Sequence, residues 1–192
     1  MIRPLLVGAA CAALLAACQQ ERSPEVVDKA QDMAAAPVGQ MSAATMGSNS
    51  QAAYISNAAM GDMYEIQAAD MALERTENAQ VRELAQMIKT DHTAASERLR
   101  AAAQAAGETL PTELDERRQG MLDNLRAASS AEEFDRVYIA QQVAAHEEAL
   151  ALHRGFADND ENAALAQHAQ SVIEPIEMHH QRAEQLQEGA AS

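Results

Sequence analysis

Between Tyr54 and Leu186 the apolar residues recur at spacings of three, four and seven in four long segments, and nowhere do they alternate as a strand requires. Ile55, Ala59, Ile66, Ala69 and Leu73 predict a helix over about residues 51–76. Val81, Leu84, Ala85, Ile88, Ala95, Leu99 and Ala102 predict a second over about 79–106, with Gly107 in a helix-stopping position. A third begins at the capping-box pair Ser130 and Glu133, carries Phe134, Tyr138, Gln142, His146, Leu150 and Phe156, and ends near Asp158-Asn159-Asp160. The fourth runs from about Glu161 to Glu188 through Leu165, Ala169, Val172, Ile176, Ala183 and Leu186, with a kink expected at Pro175. After Leu110-Pro111-Thr112, Pro111 is expected to open a shorter helix bearing Leu114, Met121, Leu122 and Leu125. Hydrophobic residues make up 47% of the chain but aromatics only 3%, so the apolar mass is largely alanine, which suits close-packed helices. Helices of about 25 residues, about 38 Å long, then assemble as a four-helix bundle with a short extra helix in the middle crossing.

The N-terminus has another character. Arg3, the apolar run Leu5 to Leu15, and Leu15-Ala16-Ala17-Cys18 read as a bacterial lipoprotein signal, cleaved after residue 17 and lipidated on Cys18. The run is too short to span a bilayer, which takes about twenty apolar residues. Gln19 and Gln20 stand where an Asp would signal inner-membrane retention, so the expected location is the outer membrane, facing the periplasm. Pro24, Pro37, Gly39 and Gly47, among several Gln and Ser, make residues 18–50 a flexible tether with a root-mean-square reach of about 30 Å. The bundle domain is then residues 51–188, with a tail at 189–192. A net charge of -15 argues against nucleic acid and anionic lipid surfaces as partners. Cys11 lies in the signal and Cys18 takes the lipid, which leaves no thiol for a disulfide, a metal or catalysis.

All six histidines fall in the helical domain. His92 follows Ile88 by four, His146 follows Gln142 by four, and His180 follows Ile176 by four, so each is expected on or beside the buried face of a different helix. Glu65 supplies the same from the first helix, and Asp91 would ligate or orient His92. Such inward groups can build a metal site for zinc, copper or iron, or serve as hydrogen-bonded core residues. Register argues against pairing His146 with His180, because a symmetric hairpin leaves them about 10 Å apart along the axis and puts Glu174 or Glu177 nearer level. Glu177 and His180 have the Glu-x-x-His spacing of di-iron bundles. His153, His168 and His179 are expected at the surface or an interface, and the methionines of the helices as core filling.

Glu65-Ile66, Asn78 to Val81, Met87 to His92, Phe134-Asp135 with Tyr138, Gln142 and His146, and Pro175 with His180 resemble a bacterial domain-of-unknown-function family, over about residues 52–187. Its members are ferritin-like bundles often labelled predicted outer membrane proteins. The resemblance implies a ferritin-like fold and export to the envelope, with Glu65, Asp91, His92, His146 and His180 at the family's polar motif positions. Lys89, three before His92, and His146 stand where a di-iron protein would carry Glu, so a mononuclear histidine-rich site or a polar network fits better than oxygen chemistry. The expected function is an envelope lipoprotein serving as a binding or structural, stress-related module with an envelope protein partner. The alternative is a protein that buffers a divalent metal through these inward groups. An enzyme is not expected, since neither an open metal position nor an activated nucleophile is evident.

Overall fold

The computed structural model describes residues 50–159 and 161–190; the signal, Cys18, the tether before Ser50 and the last two residues lie outside them. Five helices form among the described residues: α1 (Gln51–Arg75), α2 (Ala79–Ala105), α3 (Glu116–Ala127), α4 (Ala131–Phe156) and α5 (Ala163–Ala190). Their starts follow from side chains that satisfy the free amides of the first turn. Asn78 accepts from the Gln80 amide, Asp115 from Arg118, Ser130 from Glu133 and Asn162 from Leu165. The Glu133 carboxylate reaches back to the Ser129 amide (2.7 Å) rather than to Ser130. α2 stops as expected: Gly107 takes φ 75°, its amide bonds Gln104 and the Glu108 amide bonds Ala103, a Schellman closure.

The start of the short helix and the ends of the fourth long helix differ from expectation. The short helix starts at its Asp115 cap and leaves Pro111 and Leu114 in the preceding loop, because an Asp side chain fills the free-amide role that proline only avoids. The fourth long helix continues through Pro175 from Ala163 to Ala190.

Each long helix packs against two others: α1 against α2 and α4, and α5 against α2 and α4. Tyr54, at the start of α1, stacks on Phe156 at the end of α4 with ring centroids 3.9 Å apart, and shares an apolar cluster with Leu99 and Ala103 of α2 and Leu165 of α5. All four adjacent pairs are therefore antiparallel. The parallel α2 and α4 need a connection that travels the length of the bundle, the arrangement of bundles with one long crossover. Residues 106–130 make it, and α3 packs on α1 and α4 as they do so. Arg75 fixes the far end, donating to the Leu125 and Ala128 carbonyls (2.6 Å each) that close α3 and lying 4.8 Å from the Phe134 ring.

Apolar residues concentrate at the two ends. One cluster contains Tyr64, Val81, Leu84, Leu122, Leu125, Phe134 and Leu186; the other contains Tyr54, Leu99, Phe156 and Leu165. Each fully buried side chain of this size stabilises the fold by about 1.5–3 kcal/mol. Between them lies a polar layer of Asp62, Glu65, His92, Gln142, His146 and His179, all buried. No helix among the described residues is long and apolar enough to cross a membrane.

Candidate metal centre

The layer brings His92 of α2, His146 of α4 and His179 of α5 together. Their ring centroids are 5.4–5.8 Å apart, and one nitrogen from each lies within 4.8 Å of the other two. The opposite nitrogen of each ring is held by an acceptor. His92 Nδ1 donates to Asp62 Oδ1 (2.8 Å), His146 Nδ1 to the Gln142 carbonyl (2.9 Å) and His179 Nε2 to Asp91 Oδ2 (3.0 Å). A carbonyl or carboxylate can only accept, so these bonds fix the tautomers and leave His92 Nε2, His146 Nε2 and His179 Nδ1 as lone pairs. All three nitrogens are buried with no hydrogen-bond partner, as are His168 Nε2 and His180 Nε2 outside the cluster. A buried polar atom without a partner costs about 1–3 kcal/mol, and three facing one another need a shared occupant.

The surroundings favour a positive occupant. Burial opposes a charge on His92, yet the Asp62 hydrogen bond and the carboxylates of Asp62, Glu65 and Asp91 outweigh it and raise its pKa. Burial pushes Glu65 up to about 7. Burial, with His92 and His179 as cationic neighbours, holds His146 far below the ordinary imidazole value. Burial and His92 take His179 down to about 4. His146 and His179, held neutral, offer their lone pairs directly, and His92, ringed by carboxylates, offers its own when the ion displaces its proton; together they are a donor set that a divalent ion uses.

The structure rearranges the residues expected from sequence. His92 and His146 are in the cluster. Glu65 is buried beside it, 3.8 Å from His146 Nδ1, on the side away from the converging nitrogens. Asp91 orients His179 and not His92, whose partner is Asp62. His180 is not among the converging residues: it lies 3.7 Å from Glu147 and 3.5 Å from Glu184 at the bundle's rim. Glu177 is half-exposed and pairs with Arg154 (2.6 Å). Lys89 is at the surface, paired with Asp70. His179 supplies the third ring because the buried face of α5 runs Leu165, Ala169, Val172, Ile176, His179, Ala183, Leu186, and the step after Ile176 is three, not four. The 10 Å offset is also overturned: Gln170 reaches the Ala157 carbonyl (2.7 Å), so α5 is advanced several residues along α4 compared with a symmetric hairpin, which levels His179 with His146.

His153 and His168 are likewise buried. Both turn Nδ1 to the Tyr54 hydroxyl, at 3.1 and 2.7 Å, where one ring donates and the other accepts. Burial takes His153 down to about 3 and lowers His168. Besides His179, expected at the surface or an interface, the sequence reading missed Asp62; its signal was its place three before Glu65 and four after Ala58 on one helical face.

Among solved structures, that of CopM in the Cu(II)-bound form is similar, with a TM-score of 0.61 and 20% sequence identity, covering 71% of this chain and 95% of that one. At that identity the likeness is one of fold. No curated protein matches the sequence. The family described as domain of unknown function DUF4142 matches residues 36–186, most of the chain, and the protein belongs to that family.

Proposed function

We propose that this protein binds one divalent metal ion inside the bundle, with His92, His146 and His179 as ligands, and that it holds the ion for buffering or protection in the cell envelope. The observation that carries the reading is the set of three buried, unpartnered nitrogens facing one another, each on a ring whose other nitrogen is anchored by an acceptor. Metal-binding histidines are oriented in this way. Three imidazoles suit copper(II) and zinc(II), with copper(II) the tighter by the general order of affinities. The Cu(II)-bound state of the structural neighbour supports copper as the first ion to try. Nitrogens held about 2.0–2.1 Å from one ion sit about 3.3 Å apart, so the rings draw together on binding.

Lipidation at Cys18 and residence at the outer membrane, facing the periplasm, belong to the same proposal and rest on the sequence of the first twenty residues. The alternative of a metal-free partner-binding module has less in its favour. Met87 and Met178 are the large apolar side chains left exposed among the described residues.

The test is the metal content of protein purified from its own compartment without chelator, beside a His92→Ala, His146→Ala double variant. About one ion per chain, lost in the variant, is expected. A folded wild-type protein that holds no copper or zinc, even after incubation with each, overturns the proposal.

A further inference from the structure

The three converging rings are held in different ways. His92 is anchored by Asp62, whose side chain is 7% exposed, and His146 by the backbone carbonyl of Gln142, one turn earlier in its own helix and fully buried. Both anchors lie inside the bundle. His179 is anchored across the α2–α5 seam by Asp91, whose side chain is 41% exposed. Asp91 also lines an open groove along α2 with Met87 and Thr90. Met87, one turn before Asp91, and Met178, the residue before His179, are both exposed, so flexible thioether side chains border the seam at this level. When the His179 ring turns outward, Asp91 exchanges its bond for one to water. If His92 or His146 did the same, Asp62 or the Gln142 carbonyl would be left buried without that donor, which costs more.

We infer that His179 is the moving ligand, its ring swinging out through the α2–α5 seam to admit and release the ion, and that Asp91 is the positioning residue that latches it inward. The inference rests on the metal-binding reading above. His92 and His146, held from the interior, receive the ion as a pair, and His179 closes over it. The latch takes Nε2 and the ion takes Nδ1, so one ring is latched and ligating at once. Rotation of a side chain is faster than separation of packed helices, and it gives a buried ion a route that leaves the bundle intact.

Chemical labelling tests the moving ring without any ion. Full-length protein stripped of metal, carrying His180→Gln so that one histidine of the adjacent pair remains, is treated with diethyl pyrocarbonate at pH 8, and the modified sites are read by peptide mass spectrometry. His179 should be labelled about tenfold faster than His146, because labelling follows the population of the open state. Asp91→Asn should raise the His179 rate about tenfold more, since an amide oxygen holds the ring less tightly than a carboxylate, and leave His146 unchanged. Equal labelling of His179 and His146 would mean that the whole bundle opens, and a His179 rate that ignores Asp91→Asn would mean that there is no latch; either result overturns the inference. Stopped-flow mixing with copper(II) or zinc(II) at high salt, which screens the lost charge, followed by release to excess chelator, gives a second readout. Asp91→Asn should speed association and dissociation alike, each by about three- to tenfold, whereas a residue that only orients the bound ring would speed dissociation alone. Asp62→Asn, at an interior anchor, should do only the latter. If Asp91→Asn leaves association unchanged or slows it, Asp91 orients the ring and does not latch it. Failure of wild-type protein to bind either ion would remove the metal-binding reading itself, a result separate from the labelling pattern.

Discussion

His179 and His180 are adjacent in sequence, and the structure gives them opposite roles, so exchanging each for glutamine tests the metal site with an internal control. His179 is 1% exposed and presents Nδ1 to His92 and His146. His180 is about one-sixth exposed and sits between two surface carboxylates. Structural zinc sites release about 10–16 kcal/mol from four ligands, or roughly 2.5–4 kcal/mol for each. Loss of one imidazole should therefore weaken binding by about two to three powers of ten, at about 1.4 kcal/mol per power. Exposed ion pairs are worth about 0–1 kcal/mol, so His180→Gln should leave Kd within about threefold of wild type. Competition titration against a chromophoric chelator at fixed pH measures both, and thermal melts of the metal-free variants confirm that each is folded. A His179→Gln protein that binds as tightly as wild type, or a larger loss in His180→Gln, would refute the assignment of the third ligand.

Asp62→Asn keeps an oxygen to accept from His92 Nδ1 but removes the charge, and changes to such orienting groups cost about 10–100-fold in metal affinity; an unchanged titration curve would mean that Asp62 has no share in the site. For the metal-free protein, the His153 ring is kept neutral in the fold down to about pH 3, against about 6.5 when unfolded. The unfolded chain takes up a proton there that the folded one refuses, so this contribution is complete above about pH 6.5. It is lost as pH falls towards 3, by at most about 1.4 kcal/mol per pH unit. Urea denaturation at pH 7, 6, 5 and 4 should show a shallower fall for His153→Gln than for wild type, and equal slopes would rule the contribution out.

The number of long helices and the positions of their caps were legible because they depend on local chemistry: Asn78, Ser130 and Gly107 act within a few residues of themselves. The phase of the alanine-rich helices was harder to read. On α1 the apparent stripe through Ile66 and Leu73 leads to half-buried residues, while the buried face is Ile55, Ala58, Asp62, Glu65, Ala69, Ala72. Small side chains on all sides give little contrast between faces, and a charged residue in the seam looks like surface. On α5 the gap of seven between Ile176 and Ala183 conceals one core position; the regular alternation of four and three places it at His179, and stepping four reaches His180. The hairpin register was beyond local patterns altogether. It is set by contacts such as Asn162 to Gln51, 111 residues apart, and Gln170 to the Ala157 carbonyl.

The polar layer also explains why the ends of this bundle are built as they are. Ligands come from α2, α4 and α5, and the groups that orient them come from α1, α2 and α4, so no pair of helices can assemble the site alone. An unfolded chain has no comparable set of donors, and an ion bound only by the fold stabilises it by about 2.7 kcal/mol at a hundred times its Kd. Without an ion the layer carries unpartnered nitrogens and carboxylate oxygens at the centre of the domain, each a cost. The apolar clusters on either side must therefore hold the helices in register by themselves, which the stacked Tyr54–Phe156 rings and the Arg75 clamp on α3 help to do. A bundle braced at both ends can keep three imidazoles close in advance of the ion, so binding spends little of its energy on ordering the protein.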